Sequence, residues 1–260
     1  MIVCADDFGL RPDIDKAILE LCAENKVSAV SCMTVFNRCG PKEIKQLQEF
    51  HARVDIGLHL CLTAEPQTSR ARTPGLLFPS FTNCLWRGRS GSFRESDVLC
   101  EISAQYDEFV QKAGHPPTHI DGHLHIHQVP VVREALIKFV EGLPRKARPY
   151  IRNTAQSVRT LMRHRLPILK AWPISIFGHG MNRRLLAAGL PTNEGFAGIY
   201  DFRDYRHFAD YLRHFIQTLS QRNGILVVHP GKDESWRMQE FQTLRQERLS
   251  SAPTGFSLDC

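Results

Sequence analysis

The chain has 260 residues, of which 42% are hydrophobic and 23% charged, a usage that excludes disordered and fibrous classes and suits one large α/β domain spanning residues 1–260. No apolar run approaches the roughly 18–20 residues of a membrane span, and Asp6 and Asp7 interrupt the apolar start before an export signal can form, so a cytoplasmic protein is expected. The net charge of +6 raises a nucleic-acid partner, but basic residues concentrate only from Arg145 to Arg165, where a solvated helix face is the simpler account; no nucleic acid is expected, and attraction of an anionic substrate or peripheral contact with an anionic surface is the remaining use.

Ile2 to Ala5 reads as a short strand, and Asp13 to Asn25 as a helix whose Ile14, Ala17, Ile18, Leu21 and Cys22 share one face. Val27 to Val35 is strand-like, Pro41 to His51 helical with a proline at its start, and Val54 to Leu62 strand-like again. Thr63 to Phe93 loses periodicity, as a functional lid or a disordered excursion does. Glu95 to Ala113 is helical, and Pro116-Pro117 end it before a histidine-rich segment, read as an extended strand whose alternate residues share one face.

A helix (Val129 to Gly142), a strand (Pro149 to Arg152) and a basic helix (Ser157 to Lys170) follow, then a break around Pro173 to Gly180 and a short helix from Asn182 to Ala188. Phe196 to Tyr200 is extended and Tyr205 to Arg222 a strong helix. Ile225-Leu226-Val227-Val228 has no polar alternation, as in a parallel strand covered on both faces, and a last helix begins near Met238. Strands alternating with helices about seven times predict a parallel (β/α) barrel-like fold, with the site at the C-terminal ends of the strands.

Ionisable residues fall at those ends: Asp6 and Asp7, His59, His123, Arg152 and His229. Asp7, His59 and His123 would form an Asp-His-His metal set with open positions, able to acidify a bound water and polarise a carbonyl. Asp6, whose side chain diverges from that of Asp7, would take the water's proton, and His229 would protonate the leaving group. Taken singly, each residue has a plainer account: Asp6 and Asp7 as helix caps, His59 as a core histidine, His229 as a turn residue. Cys61 is a rival nucleophile but reads better as a packed thiol, and the eight cysteines lack any C-x-x-C pair, as in a reduced protein.

The histidine cluster itself, Thr118-His119-Ile120-Asp121-Gly122-His123-Leu124-His125-Ile126-His127, holds four of the twelve histidines. Four imidazoles there would carry unsatisfied polar atoms if merely buried, so Asp121, His125 and His127 are read as supporting or substrate-contacting groups.

Ala5-Asp6-Asp7-Phe8-Gly9, Gly57-Leu58-His59-Leu60, the histidine cluster and His229-Pro230-Gly231 together resemble the YdjC-like carbohydrate deacetylases, in the family's order and over nearly the whole chain. The resemblance implies a (β/α)-barrel-like fold and a divalent metal, magnesium or zinc, held at Asp7, His59 and His123. It implies hydrolysis of the N-acetyl group of an amino sugar or glycoconjugate with Asp6 as base and His229 as acid, and a substrate contact at Arg152. Gly122 stands where many relatives carry serine. Hydrolysis of another bond, such as a phosphoester, and a non-catalytic glycan- or metal-binding barrel are the competing readings; a homodimer is an allowed assembly.

Overall fold

The computed structural model describes residues 1–36, 39–62, 94–156, 168–219 and 224–247; the aperiodic segment Thr63 to Phe93 and most of the basic helix predicted over Ser157 to Lys170 lie outside them. In chain order the elements are β1 (Ile2–Phe8), α1 (Pro12–Ala23), β2 (Ala29–Cys32), α2 (Pro41–Gln48), β3 (Asp55–Leu60), α3 (Glu95–Ala113), β4 (His119–Gly122), α4 (Pro130–Glu141), β5 (Tyr150–Ile151), α5 (Ile168–Ala187), β6 (Gly195–Ala197), α6 (Phe208–Leu219), β7 (Gly224–Val228) and α7 (Ser235–Gln246). Every strand pairing is parallel, in the order β5-β4-β3-β2-β1-β7-β6.

The sheet curls until its two edges approach each other. Ile151 forms a parallel bridge with Thr192, just before β6, and donates its N–H to the Pro191 carbonyl at 3.0 Å. Asn153 and Asn193 carry the seam onward: Asn153 N–H donates to Asn193 Oδ1 at 2.8 Å, and Asn193 Nδ2 returns to the Asn153 carbonyl at 2.8 Å. Side-chain amides thus satisfy backbone groups where the strands are too short to pair.

Strand alternation sorts the residues. On β1, Val3 and Ala5 join the large cluster beneath the helices, while Ile2 and Cys4 join a small cluster with Tyr150, Phe196, Ile225 and Val227. That small cluster is the barrel interior, and it is apolar only over part of its depth. Further toward the C-terminal strand ends the interior becomes polar, with Ser31, His119, Asp121, Arg152, Asp6 and His59 all buried. Gly57 makes room for one of them, since a Cβ there would lie 2.3 Å from the His119 ring.

Two expectations are corrected. The predicted break at Pro173 to Gly180 and short helix Asn182 to Ala188 are one 20-residue helix, α5. Its glycines serve close packing rather than termination: a Cβ on Gly178 would come within 2.5 Å of the Thr154-Ala155 backbone, and one on Gly180 within 2.6 Å of Arg133. The histidine-rich segment is extended only as far as Gly122; His123–Gln128 coil as a 3₁₀ segment in which Leu124 (φ 54°) and His125 (φ 57°) are both left-handed. The shared face therefore joins His119 and Asp121, whereas His123 and His125 turn toward one cavity and His127 is buried away from it.

Candidate metal centre and active site

Asp6 continues the inward series Ile2, Cys4 on β1, so alternation alone would turn Asp7 outward. A register shift between Ala5 and Phe8, with φ of +72° at Asp7, breaks that alternation. Both aspartates consequently line one cavity of about 610 Å³, together with His59, His123, His125, His229 and Arg237. A left-handed aspartate is a strained backbone, of the kind held at functional sites. The expected divergence survives as a difference in partners rather than in direction.

Asp7 lies within ligand distance of two imidazoles: His123 Nδ1 is 3.0 Å and His59 Nε2 3.5 Å from its Oδ1. With bonds of about 2.0–2.2 Å, tetrahedral ligand atoms stand roughly 3.3–3.5 Å apart, so this trio fits a metal ion with little movement. His59 arrives already oriented, because its Nδ1–H donates to Asp121 Oδ1 at 2.6 Å, which leaves Nε2 toward Asp7. Burial alone would lower the His59 pKa, but Asp121 and Asp6 raise it well above the ordinary histidine value. Burial likewise opposes ionisation of Asp7, yet hydrogen bonds from His123 and His59 hold it well below the usual carboxylate range. Asp7 therefore rests ionised between two imidazoles, a donor set suited to a cation.

Asp6 is set by Arg152, which donates to Oδ2 at 2.7 Å and to Oδ1 at 2.8 Å. The same guanidinium also pairs with Asp121, which accepts Ser31 Oγ–H at 2.6 Å. Burial pushes the Asp6 pKa up, but Arg152 and His59 outweigh it and the carboxylate stays ionised. His229, at the end of β7, lines the cavity with a buried Nδ1 that has no partner among the described residues. Burial lowers its pKa to about 4, so it rests as the neutral imidazole.

The expected substrate contacts divide. His125 lines the cavity, its ring edge-on to Phe196 at 5.6 Å. Arg152 and His127 do not: Arg152 is 0% exposed beneath Asp6, and His127 is buried with Nε2 3.0 Å from the Arg152 carbonyl. Arg152 meets a ligand only through the carboxylate it holds. Sequence reasoning missed Arg237, Glu240 and the apolar wall of Tyr200, Phe202 and Trp236, in which Phe202 and Trp236 stack at 4.3 Å. No motif marks them; Arg237 and Glu240 are eight and eleven residues beyond His229, on a helix whose inner face is not visible in the sequence.

The family model described as YdjC-like protein matches residues 1–253. The chain belongs to the YdjC-like family. A carbohydrate deacetylase from Geobacillus stearothermophilus is 31% identical over 187 residues, covering 70% of this chain and 69% of that protein. A chitooligosaccharide deacetylase from Serratia marcescens is 31% identical over 154 residues, 55% of this chain and 57% of its own. A crystal structure of an Enterococcus faecalis protein proposed to cleave cellobiose phosphate superposes with a TM-score of 0.67 over 94% of this chain and 89% of its own, at 18% identity, which bears on the fold alone. No helix among the described residues is long and apolar enough to cross a membrane.

Proposed function

We propose that this member of the YdjC-like family is a metal-dependent N-deacetylase of N-acetylated amino sugars or glycoconjugates, acting as a single domain in the cytoplasm. The observation that carries the reading is the convergence, in one cavity, of the Asp7-His59-His123 donor trio with a separate carboxylate, Asp6, and a separate imidazole, His229. The deacetylase relatives supply the substrate class. Two imidazoles and one carboxylate favour zinc over magnesium, which prefers oxygen ligands and keeps its waters.

Asp7, His59 and His123 would hold a divalent cation, which would supply Lewis acidity toward the acetamide carbonyl and the attacking water. Asp6 then accepts a proton from the attacking water, its orientation locked by the two Arg152 bonds. His229 delivers a proton to the departing nitrogen. Because it rests neutral, His229 must take up that proton within the cycle, and the proton that Asp6 accepts from water, passed on to His229, is its source. Water and amide become acetate and the protonated amine with no covalent enzyme intermediate.

Acetate release from a panel of N-acetylated saccharides, abolished by a chelator and restored by zinc, is the expected result. Absence of release across the panel from metal-loaded protein would overturn the proposal.

A further inference from the structure

The segment His229-Pro230-Gly231-Lys232-Asp233-Glu234 leads from β7 directly into α7, whose third residue is Arg237. Arg237 is only 6% exposed and its guanidinium reaches three groups. Nη2 donates to Asp7 Oδ2 at 2.7 Å, Nε to Glu234 Oε2 at 2.9 Å and Nη1 to the His229 carbonyl at 3.3 Å, while its carbon lies 4.4 Å from the Trp236 ring centroid. Gly231 permits this approach, since a Cβ there would sit 3.0 Å from Arg237 Cδ.

The two oxygens of Asp7 are thereby assigned different tasks. Oδ2 is engaged by Arg237, and Oδ1 faces His59 Nε2 and His123 Nδ1. The segment is also pinned from outside: Arg11 pairs with Glu234 at 2.8 Å and with Asp13 at 3.0 Å, and Asp13 accepts the N–H groups of Lys232 and Asp233 at 3.2 Å each. One fork thus touches the candidate ligand on β1 and the backbone of the candidate acid on β7, elements far apart in sequence.

We infer that Arg237 is a positioning residue that fixes Asp7 as a one-oxygen ligand and sets the end of β7, with His229, in register with it. The inference rests on the reading of Asp7, His59 and His123 as the metal-holding set. Lysine keeps a charge for Asp7 but lacks the planar fork, so it holds the ligand without holding the His229 carbonyl.

The test compares wild type, Arg237→Gln and Arg237→Lys by zinc competition against a chromophoric chelator, with acetate release at saturating zinc measured alongside. Loss of a group that orients a ligand typically weakens metal binding about 10–100-fold, and that is the expected loss for Arg237→Gln. Arg237→Lys is expected to recover most of the zinc affinity while kcat stays reduced about tenfold or more. Folded Arg237→Gln that binds zinc within about threefold of wild type overturns the inference and leaves the metal reading intact. Wild type that binds no zinc overturns both. Should Arg237→Gln fail to fold by circular dichroism, Arg237→Lys decides, and an unchanged kcat in that variant counts against the positioning role.

Discussion

Replacing Arg152 with methionine tests the assignment of this residue to the interior rather than to the substrate. Arg152 is 0% exposed, donates two bonds to Asp6 and pairs with Asp121, which is also 0% exposed. The substitution retains much of the apolar stem and leaves two buried carboxylates without their shared cation. Breaking one buried pair costs about 3–5 kcal/mol, against total stabilities of about 5–15 kcal/mol. For a chain of this size each kcal/mol moves Tm by roughly 2–4 °C, so a drop of about 6–20 °C is expected. The sign with pH follows from the same charges. In the variant the carboxylate pKa values rise, so the folded state is penalised where they must ionise; the deficit is larger at pH 8 than at pH 5, where proton uptake relieves it. Urea unfolding of both proteins at the two pH values, on metal-free samples, measures the effect. A variant of wild-type stability with only a raised KM would refute the reasoning and return Arg152 to substrate contact.

Asp6→Asn should retain zinc binding at Asp7, His59 and His123 while reducing kcat by about 10²–10⁴, the usual contribution of a general base; chelator competition beside acetate release separates the two effects. Glu240 is fully buried between the Tyr200 hydroxyl at 2.7 Å and the His229 N–H at 2.5 Å, and burial raises its pKa to about 7. A raised carboxyl pKa favours folding below the unfolded value and loses that contribution as pH rises through about 7, so Glu240→Gln should stabilise the protein at pH 8 by up to about 3 kcal/mol and much less at pH 5. Thermal melts at the two pH values decide it, and equal Tm shifts would contradict the buried-charge account. Gly57→Ala places a methyl group 2.3 Å from the His119 ring and should cost about 1–3 kcal/mol by overpacking, read as a lower urea midpoint with unchanged m-value.

Much of the plan is legible in the chain itself. Period-3.6 spacing locates α1 and α3, and the unbroken apolar run of β7 marks a strand covered on both faces. The same pattern puts Asp6, Asp7, His59 and His229 at strand ends, because a parallel barrel aligns all its C-termini on one rim. Local signals fail where packing inverts their meaning. The stretch Pro173 to Gly180 reads as a break, yet its Gly178 and Gly180 let α5 approach its neighbours, and the histidine cluster reads as a strand, yet it coils after Gly122.

Sequence alone thus determined the residue types of the centre and the rim on which they meet, since both follow from short-range periodicity. Only the tertiary structure decided which atoms face one another. The left-handed turn at Asp7 brings two neighbouring aspartates to one cavity, Arg152 rises from β5 beneath Asp6, and Arg237 comes from a helix 230 residues away to hold the second oxygen of Asp7. Those contacts join residues remote along the chain, so their energies come from burial and charge in the interior of the curled sheet and leave no periodic trace in the sequence.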